Sequence, residues 1–152
     1  MALGLTVRAT APLTRLVAEG GRGTLRNPAL GVAGGSLLAA GAVFAIMWPV
    51  GPPLLRALFG PGTDLPGLPT GALAAGCVLA LGSLALTVML IAASARLALV
   101  ASWAVAVAAG AAATATSGGL GPVGRVAVAF NAAELVAVAG GAWVLARSES
   151  AD

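Results

Sequence analysis

Three polar side chains sit inside an otherwise apolar segment, residues 122–146: Arg125, Asn131 and Glu134. Glu134 lies near its middle, about 18 Å from either end at helical rise. A carboxyl at that depth in lipid is costly and by default marks a functional site. Asn131 is three residues earlier and shares its helical face. Together they have the chemistry of a proton or cation site facing a polar cavity. The plainer chemistry is structural: a protonated Glu134 hydrogen-bonded to Asn131, or to Thr114 or Ser102 on a neighbouring helix. Arg125, near the outer end of the segment, suits an anionic head group such as a pyrophosphate, or simply snorkels to the interface. Arg8 and Arg15 share one helical face beside Thr14 and near Glu19. They suit phosphate at a cytoplasmic mouth, and topology or anionic lipid explains them as well. Cys77, Met89 and Phe44 read as packing or lipid-facing groups.

Other chemistry is excluded by what the chain lacks. There is no His and only one Cys, which removes the commonest general base and any multi-cysteine metal site. No acid pair or nucleophile–base pair is visible, and the Gly-rich stretches lack the strand–turn–helix setting of a phosphate loop. We therefore expect no enzyme, no cofactor and no metal. The candidate substrate- or ion-binding residues are Glu134, Asn131 and Arg125. The net charge of +3 comes entirely from arginine on the basic side, and with no Tyr and three Phe the chain offers no aromatic platform for nucleic acid.

The elements that must position these residues are long apolar runs. Residues 29–50, 71–93, 97–115 and 122–146 each reach roughly the 20 residues that a helix needs to cross a hydrocarbon core about 30 Å thick. Of five acidic and eight basic groups, only Glu134 and Arg125 fall inside these windows. The chain is 59% hydrophobic and 9% charged, with mean hydropathy +1.01, whereas a soluble domain carries about 25% charge. The expected fold is an all-α integral membrane helix bundle: four transmembrane helices, an N-terminal partial helix over 3–19 and a short interfacial helix over about 52–60. Residues 1–147 form a single membrane domain, and 148–152 a polar tail.

Local signals set the boundaries. Pro12 kinks the 3–19 segment or starts its second half, and Gly20, Gly21 and Gly23 end it. Four Arg in the first 28 residues leave no uninterrupted apolar core for a cleavable signal. Asn27-Pro28 opens the first span, and Trp48 and Pro49 mark its far end. Pro49, Pro52 and Pro53 predict a break there, so that Leu54, Leu55 and Leu58 form the apolar face of a surface-lying piece with Arg56 in water. Short connections at 94–96 and 117–122 predict that consecutive spans are antiparallel neighbours. Arg8, Arg15, Arg22, Arg26, Arg96 and Arg147 then fall on one side, against Arg56 and Arg125 on the other. The arginine bias predicts that both termini are cytoplasmic, and the membrane expected is the plasma membrane. Gly31-x-x-x-Gly35, Ala106-x-x-x-Gly110 and Ala133-x-x-x-Ala137-x-x-x-Gly141 are patterns that let helices approach closely.

The order of features resembles the C-terminal half of polysaccharide flippases, Wzx-like members of the multidrug/oligosaccharidyl-lipid/polysaccharide exporter superfamily. The similarity covers roughly residues 5–147. It rests on Pro12, Leu13, Ala18, Glu19 and Gly20, then after one span on Pro53, Leu54, Leu55, Leu58, Phe59 and Gly60, followed by three more spans. Gly21 stands where the family usually has Asp. The resemblance implies a complete protein of roughly 12–14 spans, in two pseudo-symmetric lobes working by alternating access. This chain would be a fragment or half-size relative holding the last four spans. Its partners would then be membrane lipids, a lipid-linked oligosaccharide, and a second chain or further copy supplying the missing lobe. The alternative is a small structural membrane protein, an accessory subunit or a holin-like pore former, which fits the length without a missing half.

Overall fold

In the computed structural model, which describes residues 25–63 and 65–147, the apolar runs form four helices. These are α1 (Arg26–Phe59), α2 (Gly67–Ala92), α3 (Arg96–Thr116) and α4 (Pro122–Arg147). No strand occurs among the described residues. All four helices are long and apolar enough to cross a membrane, so the chain is an all-α membrane helix bundle. The partial helix expected over 3–19 and the tail at 148–152 lie outside the described residues.

The separate interfacial helix expected over 52–60 is not formed. Pro49, Pro52 and Pro53 are all inside α1, which runs unbroken for 34 residues and stops only at Gly60. A proline frees the carbonyl four residues before it, and Pro52 frees that of Trp48. The start of α2 covers this carbonyl: a Cβ at Gly67 would collide with the Trp48 oxygen. Apolar surroundings penalise any looser backbone, so prolines are tolerated where a neighbouring helix packs against the freed groups. Gly60, at φ 92, donates its N–H to the Arg56 carbonyl at 2.9 Å and ends the helix in a conformation that favours glycine. At 34 residues α1 is about 51 Å long, well beyond the hydrocarbon thickness, so it tilts or projects past the interface.

The centre of the bundle is the pair α2 and α4. α1 packs mainly on α2 and also touches α4, while α3 leans on α4 and meets α2 only sparsely. The expectation that consecutive spans are neighbours therefore holds for α1–α2 and α3–α4 but fails for α2–α3. The turn between α2 and α3 is nonetheless tight. Ser94 takes the left-handed position at φ 56, its N–H donates to Ile91 and the Ala95 N–H donates to Leu90, both at 3.0 Å. What draws α3 to α4 is its small-residue stripe. Ala106 and Gly110 are buried, and a Cβ at Gly110 would come within 3.1 Å of the Ala129 carbonyl oxygen and 3.3 Å of the Ala133 Cβ.

Glycine also sets the other close approaches. A Cβ at Gly76 would meet Phe130 Cδ1 at 2.6 Å, one at Gly82 would meet Ser36 at 2.6 Å, and one at Gly141 would meet Leu86 Cβ at 3.2 Å. The Gly31-x-x-x-Gly35 pattern does not take part, since no atom lies within 4 Å of a Cβ at either glycine. Leu25, Leu86, Leu90, Val138 and Leu145 form the main core at the end of the bundle where α1 begins and α4 finishes. Arg26, Arg96 and Arg147 belong to that end, Arg56 and Arg125 to the other.

Candidate functional site

α2 and α4 run parallel, because both start at the end of the bundle where α1 finishes. The contacts confirm the register. Gly76 faces Phe130, Gly82 comes near Val138 and Leu86 faces Gly141, so numbers rise together on both helices. The polar residues of α4 lie within this contact.

Glu134 is buried, with 7% of its surface exposed. The Ser83 hydroxyl on α2 donates to its Oε2 at 2.6 Å, and the same hydroxyl lies 3.0 Å from the carbonyl of Ala80. Asn131 turns the other way along the helix. Its amide Nδ2 donates to the Ala72 carbonyl on α2 and to Ala127 on its own helix, both at 2.8 Å. Val128 and Leu135, which flank Asn131 on α4, are 41% and 43% exposed. An inward polar stripe and an outward apolar one are what lipid surroundings require.

Asn131 and Glu134 thus share an interface without sharing a site. Ala72 and Ser83 are eleven residues apart on α2, about 16 Å at helical rise. Between them on α2 lie Ala75 and Leu79, which pack with Ala40 of α1 in a small apolar core. Thr114 and Ser102, the hydroxyls expected to serve Glu134 from a neighbouring span, instead bond to the carbonyls of Gly110 and Leu99 within α3. Arg125 is remote as well. It is exposed, and its guanidinium donates from Nε to Leu120 at 3.0 Å and from Nη2 to Gly118 at 2.7 Å, fastening the α3–α4 loop. The three candidate binding residues therefore do not converge.

Ser83 is the residue that sequence reasoning missed. A signal for it existed: a buried carboxyl needs a partner, and Ser83 and Thr87 are the two hydroxyls in the late half of the second span. α3 is adjacent to α4 in sequence, whereas α2 supplies the hydroxyl in space. Thr87 accepts a bond of 3.4 Å from the Trp103 indole N–H, which bridges α2 and α3.

A groove of about 400 Å³ borders Asn131, between Phe44 of α1, Ala72 and Ala75 of α2, and Val128 and Leu135 of α4. Asn131 is its one polar side chain. Such a groove takes apolar material; it does not solvate an ion. Comparison with protein-family models, with curated proteins and with solved structures finds no match to this chain.

Proposed function

We propose that this chain is the C-terminal four-helix part of a flippase-like exporter of lipid-linked saccharides, acting in the plasma membrane with both termini cytoplasmic. Within it, the α2–α4 pair is a fixed scaffold and Glu134 is a structural carboxyl rather than a coupling group. The observation that carries the reading is the order of the Pro-Leu-containing segments around the first span. The Pro53–Gly60 element closes α1 immediately before three further spans. The openness of α1 supports it. Only 6% of its most apolar stretch is buried, although it carries Gly31, Gly34 and Gly35 with open space beside each. A helix of that kind is suited to close packing against a further membrane unit.

The bond to Ser83 supports a structural role for Glu134. Ser83 has one proton and two oxygens in range, Glu134 Oε2 and the Ala80 carbonyl. The hydroxyl donates to Oε2 while staying beside the Ala80 carbonyl, so it ties the carboxyl of α4 to α2. Such a tie between two helices needs no ion.

Depleting the chain in its host tests the transport reading. Lipid-linked saccharide should accumulate on the cytoplasmic leaflet, as read by a membrane-impermeant reagent that modifies exposed sugar on spheroplasts. An unchanged leaflet ratio overturns it. The topology has its own check, in a Cys77→Ser background. A cysteine at Thr63 should react with an impermeant maleimide in intact cells and one at Ser148 should not.

A second reading, a small structural membrane protein, is favoured by the apolar lining of the groove beside Asn131. It predicts an unchanged leaflet ratio together with loss of an associated membrane complex on depletion.

A further inference from the structure

In the half of the bundle that ends at Arg96 and Arg147, a lateral groove of about 340 Å³ runs along the α3–α4 contact. Ala98, Ala101 and Val105 form one wall, and Val136, Gly140 and Trp143 the other. The one polar side chain in it, Ser102, is already engaged with the Leu99 carbonyl. Val105 and Trp143 are 59% and 56% exposed, so the groove opens sideways, toward where lipid lies.

Its mouth is cationic. The Arg147 guanidinium stacks over the Trp143 ring, 4.1 Å from the centroid, which holds the charge on the groove's own wall. Arg96 opens α3 two residues before Ala98, at the same end of the bundle, and is exposed. Among the described residues the only carboxyl on either helix is Glu134, which faces α2 and is bound to Ser83. An apolar slot with two arginines at its interfacial end is complementary to an amphiphile with an anionic head.

We propose that the α3–α4 groove binds one anionic phospholipid, with an acyl chain lying between Ala101 and Gly140 and the phosphate at Arg147 and Arg96. The site requires only the four-span fold and stands independently of the flippase reading. Arg147 reaches the phosphate as a planar donor already oriented by Trp143, which reduces the side-chain entropy lost on binding. An arginine near an anionic headgroup contributes about fivefold in affinity.

Native mass spectrometry of the full chain, released from mild detergent with added phosphatidylglycerol or phosphatidylcholine of identical acyl chains, tests this. The wild type should retain one phosphatidylglycerol in preference to phosphatidylcholine. Arg147→Gln and Arg96→Gln should each reduce that preference about fivefold, and Arg125→Gln, at the opposite end, should leave it unchanged. Ala101→Phe should lower retention of both lipids by filling the slot; position 101 is exposed, so the substitution spares the core. Glu149 and Asp152 follow in the tail, and neutralising both should raise or preserve the preference. Equal retention of the two lipids by the wild type overturns the proposal. So does an arginine-dependent preference that Ala101→Phe leaves intact, which would mean headgroup attraction at the surface without a groove. Circular dichroism of each variant, matching the wild type, establishes that a loss is local.

Discussion

α4 is packed on two sides, and the two contacts are built differently. Toward α2 it combines close approach with directed bonds: Gly76 under Phe130, Leu86 on Gly141, Ser83 to Glu134 and Asn131 to Ala72. Toward α3 it offers small residues, with Ala129 and Ala133 against Gly110, while Ser102 and Thr114 keep their hydroxyls on their own helix. In lipid there is no hydrophobic force to press helices together, so packing and polar bonds carry association. Directed bonds fix rotation and register, because each acceptor has one position. Small-residue packing brings backbones close where the stripes meet but specifies less where they end. The α3–α4 contact accordingly borders a lateral groove at Ser102, whereas the groove beside Asn131 on the α2–α4 contact has Phe44 of α1 as a further wall.

The sharpest way to break the comparison is to overfill the α2 side. A Cβ at Gly76 would already lie 2.6 Å from Phe130 and 3.3 Å from the Asn131 amide. Gly76→Val adds two methyl groups there and displaces both side chains. The expected loss is about 3 kcal/mol, at the upper end for overpacking. Reversible unfolding in mixed micelles, followed by helicity, measures it. A variant as stable as the wild type would mean that α2 and α4 are not held in this register.

Next in size is Glu134. Replacing it with Leu removes the tie to Ser83, although Ser83 keeps its bond to Ala80. Polar interactions between membrane helices average about 0.6 kcal/mol and reach roughly 1.7. The burial of both partners, at 3% and 7% exposure, places this one near the top, about 1.5 kcal/mol. Glu134→Gln retains a carbonyl oxygen to accept from the Ser83 hydroxyl and should stay within about 0.5 kcal/mol of the wild type. Transport by a complete assembly should also survive Gln. Abolished transport with unchanged stability would make Glu134 a coupling group after all.

Asn131→Leu should cost less, about 0.6 kcal/mol. The amide lost is a second donor to the carbonyls of Ala72 and Ala127, and each sits within a helix that continues past it. The same unfolding measurement applies, with Asn131→Leu expected to fall between Glu134→Leu and Glu134→Gln.

These contrasts show which parts of the molecule were legible in the sequence. Span number, the helix limits near residues 92–96 and 116–122, and the inward direction of Glu134 follow from local quantities: run length, turn residues and the cost of a charge in lipid. The failures are tertiary. Pro49, Pro52 and Pro53 should break a helix, yet Gly67 packs against the carbonyl that Pro52 frees, and nothing local to residues 49–53 announces this. Ser83 is not legible because chain order puts α3 next to α4, while the partner of Glu134 lies on α2. The small-residue patterns divide in the same way. Gly110 and Gly141 serve contacts, while Gly31 and Gly35 face open space, and the spacing alone does not separate the two cases.

The smallest expected effect is on the α3 side, at Gly140. A Cβ there would stand 3.5 Å from the Ser102 Cβ, ordinary van der Waals contact with nothing else near. Gly140→Ala therefore adds a methyl without a clash. It also removes a flexible residue from a helix interior, which by itself favours the folded state by roughly 0.5–1 kcal/mol in water and by less where lipid already enforces helicity. The variant should be neutral or slightly stabilising, within about 0.5 kcal/mol. Gly110→Ala is the informative partner, since the same methyl would press on the Ala129 carbonyl at 3.1 Å and the Ala133 Cβ at 3.3 Å. If the α3–α4 contact is tight at Gly110 and slack at Gly140, the first substitution destabilises and the second does not. Equal losses at both positions would show that the two helices stay closely packed along their whole length, and that the groove between them is closed.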